Sequence, residues 1–156
     1  MSATEAMPVV KFKTKPEHYH ADACVVWCYD DRFYKLLKKF GKKQKFKNID
    51  LVKVAGGAKA LATADATEGS SSMAERDFVL SQIKTSVRLH AAKRIILMLH
   101  RDCGAYGGSK AFPDGGAERE QYAADLRAAR DFVRKEVPAV LVDAYFADFD
   151  GLYAQE

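Results

Sequence analysis

An α/β fold, a mostly parallel β-sheet flanked by helices in a single domain, is predicted for this 156-residue chain by three observations. Apolar runs of strand length alternate with stretches of helical periodicity, the pattern of strand–helix–strand units. Two of those runs, Ala23–Trp27 and Ile95–Leu99, are almost wholly apolar, as strands covered on both faces are. Each is followed by a chemistry-bearing residue, Cys28 after the first and His100 after the second. In a doubly wound sheet the carboxyl ends of parallel strands open onto one crevice, so these two ends are expected to meet.

The length suits one domain, 1–156, with a loose arm over residues 1–8. Net charge is +4, too mild to argue for nucleic acid or a membrane surface. No apolar run approaches the roughly 18 residues that span a bilayer. The first residues lack a basic-then-apolar leader, and three cysteines, an odd number, suit a reducing compartment; a cytoplasmic location is expected.

In chain order, Val9–Lys13 alternates weakly and reads as a short edge strand. Lys15–His20 reads as a loop because of Pro16, and His18 and His20 as exposed loop histidines in preference to metal ligands. Ala23–Trp27 is the first firm strand. Cys24 shares a face with Cys28 but reads as a buried, inert core thiol. Asp30 or Asp31 can cap a helix over 31–40, with Phe33, Leu36, Leu37 and Phe40 inward. The lysine run Lys38, Lys39, Lys42, Lys43, Lys45 and Lys47 reads as a solvated face near a helix C-terminus; RNA binding is the weaker alternative.

Ile49–Val54 is the second strand, and Ala55-Gly56-Gly57-Ala58 lets the backbone turn closely without the lysine of a phosphate-binding loop. Thr63–Ser72 reads as a polar, mobile loop. Met73–His90 follows as a helix with Val79, Ile83 and Val87 on one stripe and His90 at its end. After Arg94–Leu99 come a loop over 110–116 and a helix over 117–136, with Tyr122, Leu126, Ala129 and Val133 inward. Ala139–Phe146 is the last long strand. Asp150-Gly151 suggests a type I′ turn into a short tail.

Cys28, His100 and Cys103 are the candidate metal ligands. Two thiolates and one imidazole suit zinc, and three protein ligands leave a fourth position open, the count of a catalytic rather than a structural site. An open zinc polarises a bound water toward hydroxide near neutral pH. Asp30, two residues past Cys28, is placed to orient that water, and Arg32 to hold Asp30 by a bidentate pair.

Cys28-x-Asp30-x-Arg32 followed by His100-x-x-Cys103-Gly104 resembles the β-class carbonic anhydrases, and the likeness extends along most of the chain. The resemblance implies a zinc enzyme that hydrates CO2 to bicarbonate and a proton, on an α/β fold that is usually dimeric. It implies zinc on Cys28, His100 and Cys103. It also implies that Asp30 orients the zinc hydroxide, or itself coordinates zinc in a resting state, with Arg32 as its partner. The chain departs from the family pattern at Asp31, where serine is usual, and at Lys53-Val54, where Arg-Asn is usual; Tyr19-His20 stands near where many members carry a glutamine. Two alternatives stay open: a zinc hydrolase of COS or CS2, and a zinc-binding protein without turnover.

Overall fold

The computed structural model describes residues 7–63 and 71–156. Among these residues five strands form one sheet: β1 (Ala23–Trp27), β2 (Ile49–Lys53), β3 (Arg94–His100), β4 (Leu141–Ala147) and β5 (Leu152–Gln155). Their spatial order is β2-β1-β3-β4-β5. The first four run parallel and β5 pairs antiparallel with β4. From β1 the chain steps outward to β2, returns past β1 to β3, and continues to β4. The winding therefore reverses between β1 and β3, which is where such sheets open a crevice at their carboxyl ends. Val26 pairs with Leu97, so Cys28 and His100 lie two and three positions beyond one rung.

Side chains alternate across a strand, so each apolar run feeds two cores. On one face Cys24, Val26, Ile95, Leu97 and Leu99 meet α2 (Ser71–His90) and α3 (Gly115–Glu136). The α3 stripe Tyr122, Leu126, Ala129 and Val133 is fully buried, as its spacing requires. On the other face Ala23, Val25, Trp27, Ile96 and Met98 pack with Phe33 and with Phe40 of α1 (Tyr34–Gln44).

Several boundaries shift. The first helix runs past Phe40 to Gln44, and its opening turn, Asp31–Phe33, is a 3-10 turn. Lys45 closes it in the left-handed conformation (φ 58°), with its N–H donating to Gly41 O. The lysine run is solvent-exposed throughout. The second long helix begins at Ser71, so the end of the expected polar loop is helical; 64–70, like 1–6 of the arm, lie outside the described residues. The third begins at Gly115, with Asp114 Oδ1 accepting from Ala117 N–H at 2.8 Å. The last long strand begins at Leu141.

Two expectations fail. Val9–Lys13 forms no strand: Val9, Val10 and Phe12 are exposed, and so few apolar side chains offset too little of the entropy of ordering a segment against a sheet edge. The β4–β5 connection is not a type I′ turn, since Gly151 has no positive φ, and the residues after it are β5 rather than a loose tail. Four residues, Asp148–Gly151, make the link, with Asp148 N–H donating to Gly151 O at 2.8 Å. Asp148 dictates this shape. Burial opposes its charge, but Phe149 N–H, Arg101 and Arg119 outweigh that and hold its carboxyl below the ordinary range.

Between β2 and α2 the chain turns back over the end of β1 through Gly56 (φ 73°) and Gly57 (φ 53°), then forms a 3-10 helix, Gly57–Ala62. A Cβ at Gly57 would stand 2.5 Å from Met98 O and 3.1 Å from Cys28 N, both backbone atoms that cannot move aside. Gly57→Ala is therefore expected to destabilise the protein by about 2–4 kcal/mol, measured by urea unfolding.

Candidate metal centre

β1 ends at Trp27, and Cys28 follows on the same face as Cys24 and Val26. Cys24 stays in the core, where burial pushes its thiol up to about 11. His100 is the last residue of β3, pressed against the rings of Phe33 (4.7 Å between centroids) and Trp27 (5.7 Å). Its Nδ1 lies 2.8 Å from Arg101 O, which places the proton on Nδ1 as donor. Nε2 keeps its lone pair, buried and without a hydrogen-bond partner among the described residues. Cys103 arrives by the turn Arg101-Asp102-Cys103, in which Asp102 takes a left-handed conformation (φ 56°).

The sulfurs of Cys28 and Cys103 and a ring nitrogen of His100 all lie within 4.8 Å of one another, and the three residues are at most 4% exposed. The two thiols titrate as a pair. Cys103 donates to a thiolate at Cys28 and holds it well below the ordinary thiol range against the cost of burial; the N–H groups of Asp30 and Gly56 assist. Cys103 is correspondingly pushed up, first by Cys28 and then by burial. The first proton leaves the pair easily and the second with difficulty. A cation compensates the second thiolate, and the buried, unpartnered Nε2 needs a partner of the same kind. The donor set therefore fits a metal ion that accepts two sulfurs and one imidazole.

Asp30 and Arg32 stand beside this group. Arg32 Nη2 donates to Asp30 Oδ2 at 2.7 Å and Nε to Oδ1 at 3.0 Å, while Asp30 Oδ1 also caps the 3-10 turn through Arg32 N–H at 3.0 Å. These bonds, against a smaller cost of burial, hold the Asp30 carboxyl below the ordinary range. Asp30 Oδ2 is 3.9 Å from His100 Nε2. The guanidinium has a second anchor: Nη1 donates to Asp102 Oδ2 at 2.9 Å and Nη2 to Asp102 O at 3.0 Å. Asp102 went unnoticed in the sequence. Its position between His100 and Cys103 was the available signal, but neighbouring in sequence does not say which way a side chain points. His18 and His20 are exposed and take no part in the Cys–His–Cys group; His90 ends α2 and binds Asp50 at 2.8 Å.

Residues 19–154 match the model of a family described as "Putative carbonic anhydrase". The chain belongs to this family. As a member of this carbonic anhydrase family it is 28% identical to an uncharacterized protein of Rickettsia conorii over 158 residues, spanning 94% of this chain and 80% of that one. An uncharacterized protein of Rickettsia bellii is 26% identical, spanning 94% and 91%. Among solved structures the fold is similar to a β-carbonic anhydrase of Trichomonas vaginalis (TM-score 0.58, 12% identity, 92% of this chain and 87% of that one). It is also similar to the apo form of a carbon disulfide hydrolase (TM-score 0.55, 12% identity, 88% and 81%).

In this family member, Cys103→Ser is expected to weaken zinc binding by more than the ~10–100-fold typical of losing an outer partner, whereas Arg32→Ala leaves the metal in place. Zinc titration against a chromophoric chelator measures both. The same titration run from neutral to acid pH should show affinity falling steadily, because protons compete for both sulfurs and for Nε2.

Proposed function

We propose that this chain is a zinc-dependent carbonic anhydrase that hydrates CO2 to bicarbonate and a proton, with Cys28, His100 and Cys103 as ligands and Asp30 and Arg32 as the residues that serve the reaction. What carries the reading is the conjunction at one crevice: two thiols, an orphaned buried imidazole nitrogen, and a clamped carboxylate 3.9 Å from it. Zinc held by these three residues supplies a Lewis acid that makes a water-derived nucleophile available near neutral pH.

The chain's own residues do the rest. Three ligands would leave a fourth position on a bound zinc, and Asp30 Oδ2 lies 3.9 Å from His100 Nε2. With its carboxyl held low by Arg32, Asp30 is an acceptor throughout the neutral range, able to take a hydrogen bond from the attacking water and fix its lone pair. Arg32 uses two nitrogens on Asp30, which holds both carboxylate oxygens in a fixed orientation. Trp27 and Phe33 wall the His100 side with apolar rings, suited to a small uncharged substrate. Beside Arg32 lies a cleft of about 390 Å³ whose charged lining is mixed, Lys35 and Lys39 with Asp148 and Asp150.

A homodimer in the cytoplasm goes with this reading; three free thiols suit a reducing compartment, and no helix among the described residues is long and apolar enough to cross a membrane. The fold shared with a carbon disulfide hydrolase supports a second reading, attack on COS or CS2 at the same site.

Stopped-flow CO2 hydration by zinc-loaded protein tests the first reading. A rate above buffer at pH about 8 to 8.5 is expected, with Arg32→Ala losing about 10–100-fold in kcat while retaining zinc. Competition between CO2 and COS or CS2 separates the two substrates. No rate with any of them would remove the enzyme reading.

A further inference from the structure

The turn between His100 and Cys103 includes a left-handed residue, Asp102 at φ 56°, a conformation with a steric cost for an L residue. Two buried side chains one helical turn apart on α3 grip it. Glu118 Oε1 accepts from Asp102 N–H at 2.7 Å, and Tyr122 Oη accepts from Cys103 N–H at 3.4 Å. Glu118 is 1% exposed, and its other oxygen has no hydrogen-bond partner among the described residues; the Arg101 Nε stands 3.7 Å from it. A carboxylate with a spare oxygen is costly to bury, and packing at this point would be served as well by an apolar residue. Its bond to Asp102 N–H gives it a purpose. With that amide fixed, the Asp102 carbonyl and Oδ2 both face Arg32, and Ser109 N–H holds Oδ1 at 2.8 Å.

We propose that Glu118 is a positioning residue of the site: it fixes Asp102, Asp102 anchors Arg32, and Arg32 sets Asp30. The kinetic consequence rests on the carbonic anhydrase reading; the chain of contacts does not. Glu118→Gln keeps an acceptor oxygen at the same reach, whereas Glu118→Asp keeps the charge and withdraws the oxygen by one methylene.

In metal-free, 15N-labelled protein, exchange of Arg32 Nε–H with water reports the clamp. E118D should exchange at least about tenfold faster than the unaltered chain, and E118Q within about threefold of it. In zinc-loaded protein E118D should lose about 10–100-fold in kcat with KM and zinc content unchanged, and E118Q should restore most of it. Unchanged Arg32 exchange in E118D, or equal loss in both variants, overturns the proposal. Should E118D not fold, the unaltered chain decides: a protected Asp102 amide supports the grip and an unprotected one overturns it. If the unaltered protein hydrates no CO2, the functional reading fails while the exchange experiment still decides the role of Glu118.

Discussion

One guanidinium joins the two halves of the candidate site. Arg32 follows β1 and Asp102 follows β3, and the bonds between them tie the loop that carries Asp30 to the turn that carries Cys103. Without that tie the two strand ends would bring Cys28 and His100 near each other but would leave their loops to move separately. Planar, five-donor geometry is what permits it: the same side chain meets a carboxylate on one edge and a carboxylate with a carbonyl on another. A lysine would hold one of these partners and release the other.

Burial explains the rest of the arrangement. Two thiols and an imidazole at 4% exposure or less sit in an environment that penalises unpaired charge and unpaired polar atoms alike. Each has been turned so that one need stays open. The Cys28–Cys103 pair readily gives up one proton, and His100 has its Nδ1 satisfied and its Nε2 free. Groups left in that state in a core suit an ion that accepts sulfur and nitrogen donors. The backbone pays attention to the same requirement at Gly56 and Gly57, where positive φ lets the chain pass close enough for Gly56 N–H to reach Cys28.

Much of this was legible in the residues. Apolar runs of strand length marked β1 and β3, and the chemistry at their ends marked the site, because a strand that ends in a ligand fixes where that ligand points. The α3 stripe from Tyr122 to Val133 was equally plain, since a helix with one buried face must repeat at helical spacing. What misled was local alternation without a partner. Val9–Lys13 has the period of a strand but too few apolar side chains to seat one. Asp150-Gly151 has the composition of a tight turn, yet the buried Asp148 chose a wider one to reach Arg101 and Arg119.

The sequence by itself determined the fold class and the two strands that bear the candidate site, and it proposed Cys28, His100 and Cys103 as candidate ligands with Asp30 and Arg32 alongside. Residue type and spacing carry that information because periodicity and ligand chemistry are local properties. Only the tertiary structure decided that Arg32 is shared with Asp102, that Glu118 and Tyr122 grip the turn, and that His100 presents Nε2. The first depends on the β1 and β3 ends meeting, the second on α3 packing against the turn after β3, and the third on which ring nitrogen reaches Arg101 O; side chains 16 to 70 positions apart carry no mark of each other until the fold brings them together.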